Sequence, residues 1–184
     1  MRVLAISGSL RSGSYNTELL RAAQELAPDG VELELYDGLA ALPPYDQDVQ
    51  DSAPAPVQEL RERIASADAL LIATPEYNGS IPGVLKNAID WASRPPLASP
   101  LARKPVAITG ASTGLGGTAR AQQQLRDALE FPGAIVVEEP EVLVREAFMR
   151  FDEDGELADE EARAEIAALL EALVEATEGV TLAA

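Results

Sequence analysis

Short apolar runs and amphipathic stretches alternate along the chain. Five runs have the length and flanking turn residues of strands, and they occupy residues 2–7, 31–36, 67–75, 104–110 and 133–139. Apolar residues at helical spacing, such as Leu19, Leu20, Ala23 and Leu26, lie between them. This spacing predicts helices over residues 16–26, about 56–66, 82–91, 117–129 and about 159–178. Strand and helix are therefore expected to alternate throughout.

The strand patterns also indicate positions in a sheet. Residues 67–75 are almost continuously apolar, which is typical of a strand buried on both faces, whereas residues 31–36 alternate apolar and acidic positions like an edge strand. Five strands separated by helices predict an α/β fold with a mostly parallel sheet. No linker divides the sequence, so residues 1–184 are expected to form a single domain. Residues 38–55 form the one long irregular stretch, a length typical of lids and interface segments.

Composition and charge limit which catalytic groups and which partners the protein can have. The chain has no cysteine and no histidine, which excludes thiol nucleophiles, disulfides and the commonest general base and metal ligand. The formal net charge is −17, a surface that repels nucleic acid and anionic membranes, so neither is an expected partner. The sequence contains no signal-peptide pattern and no apolar stretch of membrane-spanning length, which predicts a cytoplasmic protein.

The loop after the first predicted strand has the features of an anion site. In "SGSLRSGSYNT", residues 7–17, Gly8 and Gly13 have the spacing of a triphosphate-binding P-loop, but Ser14 and Tyr15 follow where that motif needs Lys and Ser or Thr. Hydroxyl groups, backbone N–H groups and Arg11 at a helix start suit a single phosphate monoester. A capped helix start without a ligand explains the same residues, and both interpretations stay open.

Two further loops follow strands that we expect to be neighbours. In residues 74–91, Thr74 is followed by Pro, Glu, Tyr and Asn, which make turns and also offer a flat surface and peptide groups to an aromatic ring. Residues 109–120 contain the T-G-x-x-x-G-x-G pattern of short-chain dehydrogenases. That interpretation is disfavoured because the Tyr-x-x-x-Lys pair of those enzymes is missing and too little chain follows the motif.

Taken together, the three loops resemble the NADPH-dependent FMN reductases of flavodoxin-like fold, which include quinone, chromate and azo-dye reductases. The resemblance extends nearly from end to end. It is carried by "GSLRSGSYN" (8–16), "PEYNGSIPGVLKNAIDW" (75–91), "ASTGLGGTARAQQQLR" (111–126) and "FDEDGELADEE" (151–161). The resemblance implies a flavodoxin-like three-layer sandwich whose five-stranded parallel sheet has the order 2-1-3-4-5, with FMN bound at the switch point.

The resemblance also implies which residues bind the cofactor. The FMN phosphate is expected to contact Ser9, Arg11, Ser14, Asn16 and Thr17. The isoalloxazine ring is expected to lie against Pro75, Glu76, Tyr77 and Asn78, with Ser112, Thr113 and Gly114 on its other side. Candidates for the 2′-phosphate of NADPH are Arg94, Arg103 and Arg120, among which the spacing does not choose.

The implied reaction is a ping-pong transfer of hydride from NADPH or NADH through flavin N5 to a small-molecule acceptor such as a quinone, flavin, chromate or azo compound. This scheme needs no metal, and no side chain is expected to act as an indispensable acid or base. The family implies a homodimer or homotetramer, for which residues 38–55 and 91–100 are candidate interface segments. The alternative from a different class is a flavodoxin-like electron carrier that binds FMN without turning over NAD(P)H.

Overall fold

The predicted alternation of strands and helices is present in the computed structural model, which describes residues 1–182 except for the side chain of Leu97. The strands are β1 (Arg2–Ser7), β2 (Glu32–Tyr36), β3 (Ala69–Ala73), β4 (Pro105–Ala111), β5 (Ile135–Val136) and β6 (Val142–Val144). The helices are α1 (Tyr15–Glu25), α2 (Ala55–Ser66), α3 (Gly83–Ala92), α4 (Ala119–Glu130) and α5 (Glu160–Leu182). Short 3₁₀ turns cover Gly38–Ala41, Gln47–Ser52, Pro96–Ala98 and Ala147–Met149.

The sheet has the predicted order, β2-β1-β3-β4-β5, and its strand pairs are all parallel. The central strands β3 and β4 are buried along their whole length, as their continuous apolar sequences require. In register, Leu4 of β1 lies beside Leu70 of β3, and Ile72 of β3 lies beside Ile108 of β4. These aliphatic side chains project from the same face because parallel neighbours in register share their pleat.

Helices cover both faces of the sheet. Alternate strand residues such as Val3 and Leu71 join one buried cluster with α1 and α5, whereas Leu4 and Leu70 join a second cluster with α2, α3 and α4. Burying one leucine side chain stabilises a fold by about 1.5–3 kcal/mol, so each cluster is a substantial core. The three-layer sandwich that the sequence predicts is confirmed. None of the helices that the structure describes combines the length and apolar composition that a membrane crossing requires.

The predicted fifth strand, residues 133–139, is wrong in its bounds. β5 contains only Ile135 and Val136, and the chain returns to the sheet as β6. Both segments pair with β4, β5 at its start and β6 at its end. Pro140 interrupts the run because it has no N–H to donate to a strand ladder, and three glutamates surround it. The apolar triplet of β6 was too short to be recognised from the sequence.

The long segment of residues 38–55 is held against α3. The side chains of Asn87 and Trp91 both donate to the carbonyl of Pro43, at 2.9 Å and 2.8 Å, and Asn87 also accepts from the backbone N–H of Tyr45 at 2.7 Å. The Tyr45 ring packs edge-on against Trp91, whose side chain is fully buried. The segment therefore contributes to the core on this side of the sheet and contains two 3₁₀ turns.

Candidate functional site

The carboxyl ends of β1, β3 and β4 meet at one edge of the sheet, where they bring the three predicted loops together. Backbone hydrogen bonds join the strand ends, from Gly8 N–H to the Ala73 carbonyl at 2.8 Å and from Thr74 N–H to the Thr109 carbonyl at 2.9 Å. A Cβ on Gly8 would lie 3.1 Å from Leu85 and 3.2 Å from Pro75, so glycine allows the first two loops to approach closely. This edge of a parallel sheet is where such folds bind ligands.

A cavity of about 140 Å³ lies between the three loops. Nine of the twelve predicted cofactor residues line it, namely Ser9, Arg11, Ser14, Asn16, Pro75, Glu76, Tyr77, Ser112 and Thr113. Tyr15 and Ala111 complete the lining, and neither was among the predicted cofactor residues. Thr17, Asn78 and Gly114 are not among the lining residues. The larger surface clefts are lined chiefly by residues outside the three loops.

The first loop presents hydrogen-bond donors to the cavity. Ser14 is the N-cap residue of α1 and is only 2% exposed. Its hydroxyl forms no capping hydrogen bond with the helix. The Ser14 carbonyl accepts from the N–H groups of Thr17 and Glu18, as in an ordinary first turn. The N–H groups of Tyr15 and Asn16, which have no partner of this kind within the described residues, and the Ser14 hydroxyl are therefore available to an anion.

Arg11 supplies positive charge to the same loop. Its side chain is exposed, and it forms none of the ion pairs found within residues 1–182. In a chain with a net charge of −17, an arginine without a carboxylate partner beside a helix N-terminus favours an anionic ligand locally.

Two of the residues expected at the phosphate connect the first loop to the rest of the protein. The Asn16 side chain is buried, accepting from the Ala111 N–H at 2.9 Å and donating to the Ala111 carbonyl at 3.0 Å. The Thr17 hydroxyl forms a 2.9 Å hydrogen bond with the Ser7 hydroxyl. Both side chains thus position the first loop, Asn16 against the end of β4 and Thr17 against the end of β1. Their direct contact with a phosphate stays a prediction.

The second loop folds into a tight turn. Tyr77 and Ser80 exchange backbone hydrogen bonds of 3.0 Å and 3.1 Å, and Asn78 and Gly79 between them have φ values of 55° and 74°. This is the geometry of a type I′ turn, for which Asn-Gly is the preferred sequence. Asn78 is therefore a turn former, and the Tyr77 ring, 46% exposed, stands at the mouth of the cavity.

Glu76 lines the cavity, but its carboxylate is bound to helix α4. One carboxylate oxygen accepts from the backbone N–H groups of Arg120 and Ala121, at 3.0 Å and 3.3 Å, and the other lies 3.6 Å from the Arg120 Nε. A carboxylate at this position satisfies free N–H groups and interacts favourably with the helix dipole. The Glu76 carboxylate is thus engaged by donors of α4.

The third loop is attached to the segment that follows β6. The Ser112 N–H donates to the Val144 carbonyl at 3.0 Å, and the Ser112 carbonyl accepts from Ala147 N–H at 3.0 Å. The Ser112 hydroxyl accepts from the Gly114 N–H at 3.1 Å, which closes a small turn. These bonds fix Ser112 and Thr113 at the cavity, whereas Leu115 at the tip of the loop is 77% exposed.

The structure distinguishes the three arginines that the sequence left equivalent. Arg120 follows Thr118 at the start of α4, and its side chain, 79% exposed, extends beside the turn at Gly79. Arg94 follows the carboxyl end of α3 and Arg103 precedes β4, so both lie toward the opposite edge of the sheet. Within this chain, only Arg120 of the three is beside the cavity.

Comparison with known proteins places the chain among flavin-dependent reductases. Residues 1–149 match the family model described as NADPH-dependent FMN reductase. An NAD(P)H-dependent FMN reductase of Pseudomonas aeruginosa is 52% identical over 174 residues, which are 94% of this chain and 93% of that protein. A quinone reductase of Escherichia coli K12 is 46% identical over 145 residues, 78% of this chain and 77% of that protein. Among solved structures, the flavoenzyme NAD(P)H:(acceptor) oxidoreductase FerB from Paracoccus denitrificans has a TM-score of 0.88 at 36% identity, with 97% of each chain covered.

Proposed function

The chain belongs to the NADPH-dependent FMN reductase family, and we propose that it binds FMN in the cavity between the three loops and uses it to oxidise NAD(P)H and reduce a quinone-type acceptor. The observation that carries the proposal is the convergence of nine predicted cofactor residues, from three separate loops, on one cavity.

The first loop fits the phosphate of FMN. Arg11, the Ser14 hydroxyl and the N–H groups at the start of α1 would hold it, because together they supply a positive charge and several donors. Ser9 borders the same cavity and is 9% exposed. The Asn16 bridge would keep this phosphate site at a fixed distance from the third loop.

The second and third loops fit a planar ring. Pro75 and Tyr77 offer apolar and aromatic surface, and Ser112 and Thr113 border the cavity from the other side. Asn78 would act through the turn that it forms. Gly114 would act by accepting the backbone bond from Glu146 at 3.3 Å, which holds the loop.

Bound FMN would supply the redox chemistry, accepting hydride at N5 and passing it to the second substrate. The chain's own residues would bind and orient. The one carboxylate at the cavity, Glu76, is held by N–H groups of α4. We therefore propose that no side chain of the site serves as an indispensable general acid or base.

For the substrates, we propose that Arg120 contacts a phosphate of the reductant, since its exposed guanidinium stands beside the cavity. The open mouth at Tyr77 would admit a flat acceptor such as a quinone. The related Escherichia coli protein is named a quinone reductase. Chromate, azo compounds and free flavin are further candidate acceptors. We propose a cytoplasmic homodimer or homotetramer, with residues 38–55 and 91–100 as interface segments.

The proposal is tested by reconstitution. Apoprotein titrated with FMN should show saturable binding with one FMN per chain, and NADPH or NADH oxidation with a quinone should rise in proportion to the bound FMN. A flavodoxin-like electron carrier, which the net charge of −17 would also suit, should bind FMN but give no nucleotide oxidation above that of free FMN. Failure to bind FMN would refute both functions.

A further inference from the structure

We propose that Gln124 in α4 is a positioning residue that fixes the Tyr77–Ser80 turn at the ring side of the cavity. Gln124 does not line the cavity. It lies within the 111–126 stretch that carries the family resemblance, but it was not among the residues expected to bind the cofactor. The inference rests on the proposed function only in taking the ligand to be a flavin; the contacts themselves are independent of it.

Both ends of the Gln124 carboxamide hold the turn. Its Nε2 donates to the Gly79 carbonyl at 3.0 Å, and its Oε1 accepts from the Ser80 hydroxyl at 2.6 Å. One side chain therefore bonds to two successive residues of the turn, from a position 44 and 45 residues farther along the chain. Two bonds from one planar group restrict the orientation of the turn as well as its distance from α4.

A second anchor comes from the preceding helical turn of α4. Arg120 lies four residues before Gln124, so both side chains are on the same face of the helix. The Glu76 carboxylate bonds to the start of α4, and the Arg120 guanidinium lies 3.2 Å from the point where a Cβ on Gly79 would be. One face of α4 thus holds the loop at Glu76, Gly79 and Ser80.

The four residues of the turn make few other contacts of their own. Tyr77 and Asn78 are exposed, and the only backbone bonds between its ends are the two exchanged by Tyr77 and Ser80. An isolated hairpin of this size is marginal in water. Since Glu76 and Tyr77 line the cavity, movement of the turn would displace the ring side of the site and leave the phosphate loop in place.

Gln123 provides a matched control. It has the same side chain and adjoins Gln124 in α4, but its Nε2 donates at 3.0 Å to Asp127 within its own helix and makes no bond to the turn. Gln124→Ala and Gln123→Ala therefore remove the same atoms from the same helix. Gln124→Glu is informative as well, because it can accept from Ser80 but cannot donate to the Gly79 carbonyl.

The experiment measures hydrogen–deuterium exchange of residues 77–80 in the apoproteins and the dissociation constants for FMN and riboflavin. For Gln124→Ala we expect about tenfold faster exchange in the turn. We also expect the dissociation constants for FMN and riboflavin to rise by the same factor, about three- to tenfold, because the phosphate side of the site is unchanged. Gln123→Ala should match the wild type. Gln124→Glu should also exchange faster than the wild type in the turn, because its carboxylate cannot donate to the Gly79 carbonyl and repels it.

The inference is overturned if Gln124→Ala behaves like Gln123→Ala in both measurements. It is also overturned if the affinity for FMN falls much more than the affinity for riboflavin, since the substitution would then act at the phosphate site. If Gln124→Ala does not fold, the inference is tested by comparing Gln124→Glu with Gln123→Ala in the same two measurements. Failure of the wild type to bind either flavin would instead refute the proposed function, while turn exchange in the apoprotein would still test the anchor.

Discussion

Asn16 and Ala111 are 95 residues apart in the sequence, and the Asn16 carboxamide forms one hydrogen bond with the N–H and one with the carbonyl of Ala111. This pair connects the loop after β1 to the end of β4 across the cavity. It sets the spacing between the proposed phosphate site and the residues expected beside the ring.

Replacing Asn16 should damage both stability and cofactor binding. Asn16→Ala leaves the buried N–H and carbonyl of Ala111 without their partners, which we expect to lower the free energy of unfolding by about 2–4 kcal/mol. Urea unfolding of the apoprotein measures this loss. FMN affinity should fall as well, because the two sides of the cavity would no longer be held together. A variant as stable as the wild type would contradict the bridge.

Arg11 should discriminate between flavins that differ in their phosphate. If its guanidinium binds the FMN phosphate, Arg11→Ala should raise the dissociation constant for FMN by about tenfold or more and leave that for riboflavin nearly unchanged. Fluorescence titration of the apoprotein with each flavin gives both constants. Equal losses for the two flavins would mean that Arg11 does not contact the phosphate.

Glu76 should act through helix α4 more than through charge at the cavity. Glu76→Ala removes the acceptor for the Arg120 and Ala121 N–H groups, so we expect a loss of about 1–2 kcal/mol in the free energy of unfolding. Glu76→Gln keeps an acceptor oxygen and should lose less. Thermal or urea unfolding of the two variants measures the difference, and equal losses would show that the negative charge is what matters.

The acid dependence of stability should involve Asp159, just before α5. The Ala162 N–H, at 2.9 Å, and the Arg150 guanidinium hold the pKa of Asp159 below its ordinary value of 3.8. A carboxyl whose pKa is lower in the folded state stabilises the fold above its unfolded pKa and loses that contribution as the pH falls through the folded value. Asp159→Asn should therefore be less stable than the wild type at neutral pH, with the gap closing below pH 3.8. Urea unfolding across this range checks it, and a gap independent of pH would contradict the pairing.

The sequence predicted the sheet well because burial leaves a clear pattern in it. Continuous apolar runs marked β3 and β4, and the acidic alternation of β2 marked an edge strand that has a neighbour on one side only. The fifth strand was wrong in its bounds because pairing with β4 stops at Val136 and resumes at Val142, beyond Pro140. A three-residue strand such as β6 has no periodicity to recognise.

The loops of the site were also predictable, but the bonds that position them were not. Local chemistry indicated a possible anion site in the first loop, and the resemblance proposed Ser14 and Arg11 as its phosphate ligands. The partner of Asn16 is fixed only when β1 and β4 come together in the sheet. Gln124 stands in a run of three glutamines on a helix, which is typical of a solvated surface. Only the folded position of the Asn78–Gly79 turn reveals what Gln124 contacts.

The measurement that tests the central claim most directly is anaerobic reduction of the FMN-saturated protein. We expect the flavin absorption band to bleach when NADPH or NADH is added without an acceptor, and to return when a quinone is then supplied. The rates of the two steps should account for steady-state turnover. If the flavin stays oxidised with both nucleotides, or if the reduced protein is not reoxidised by quinone, the chain is not an NAD(P)H-dependent quinone reductase.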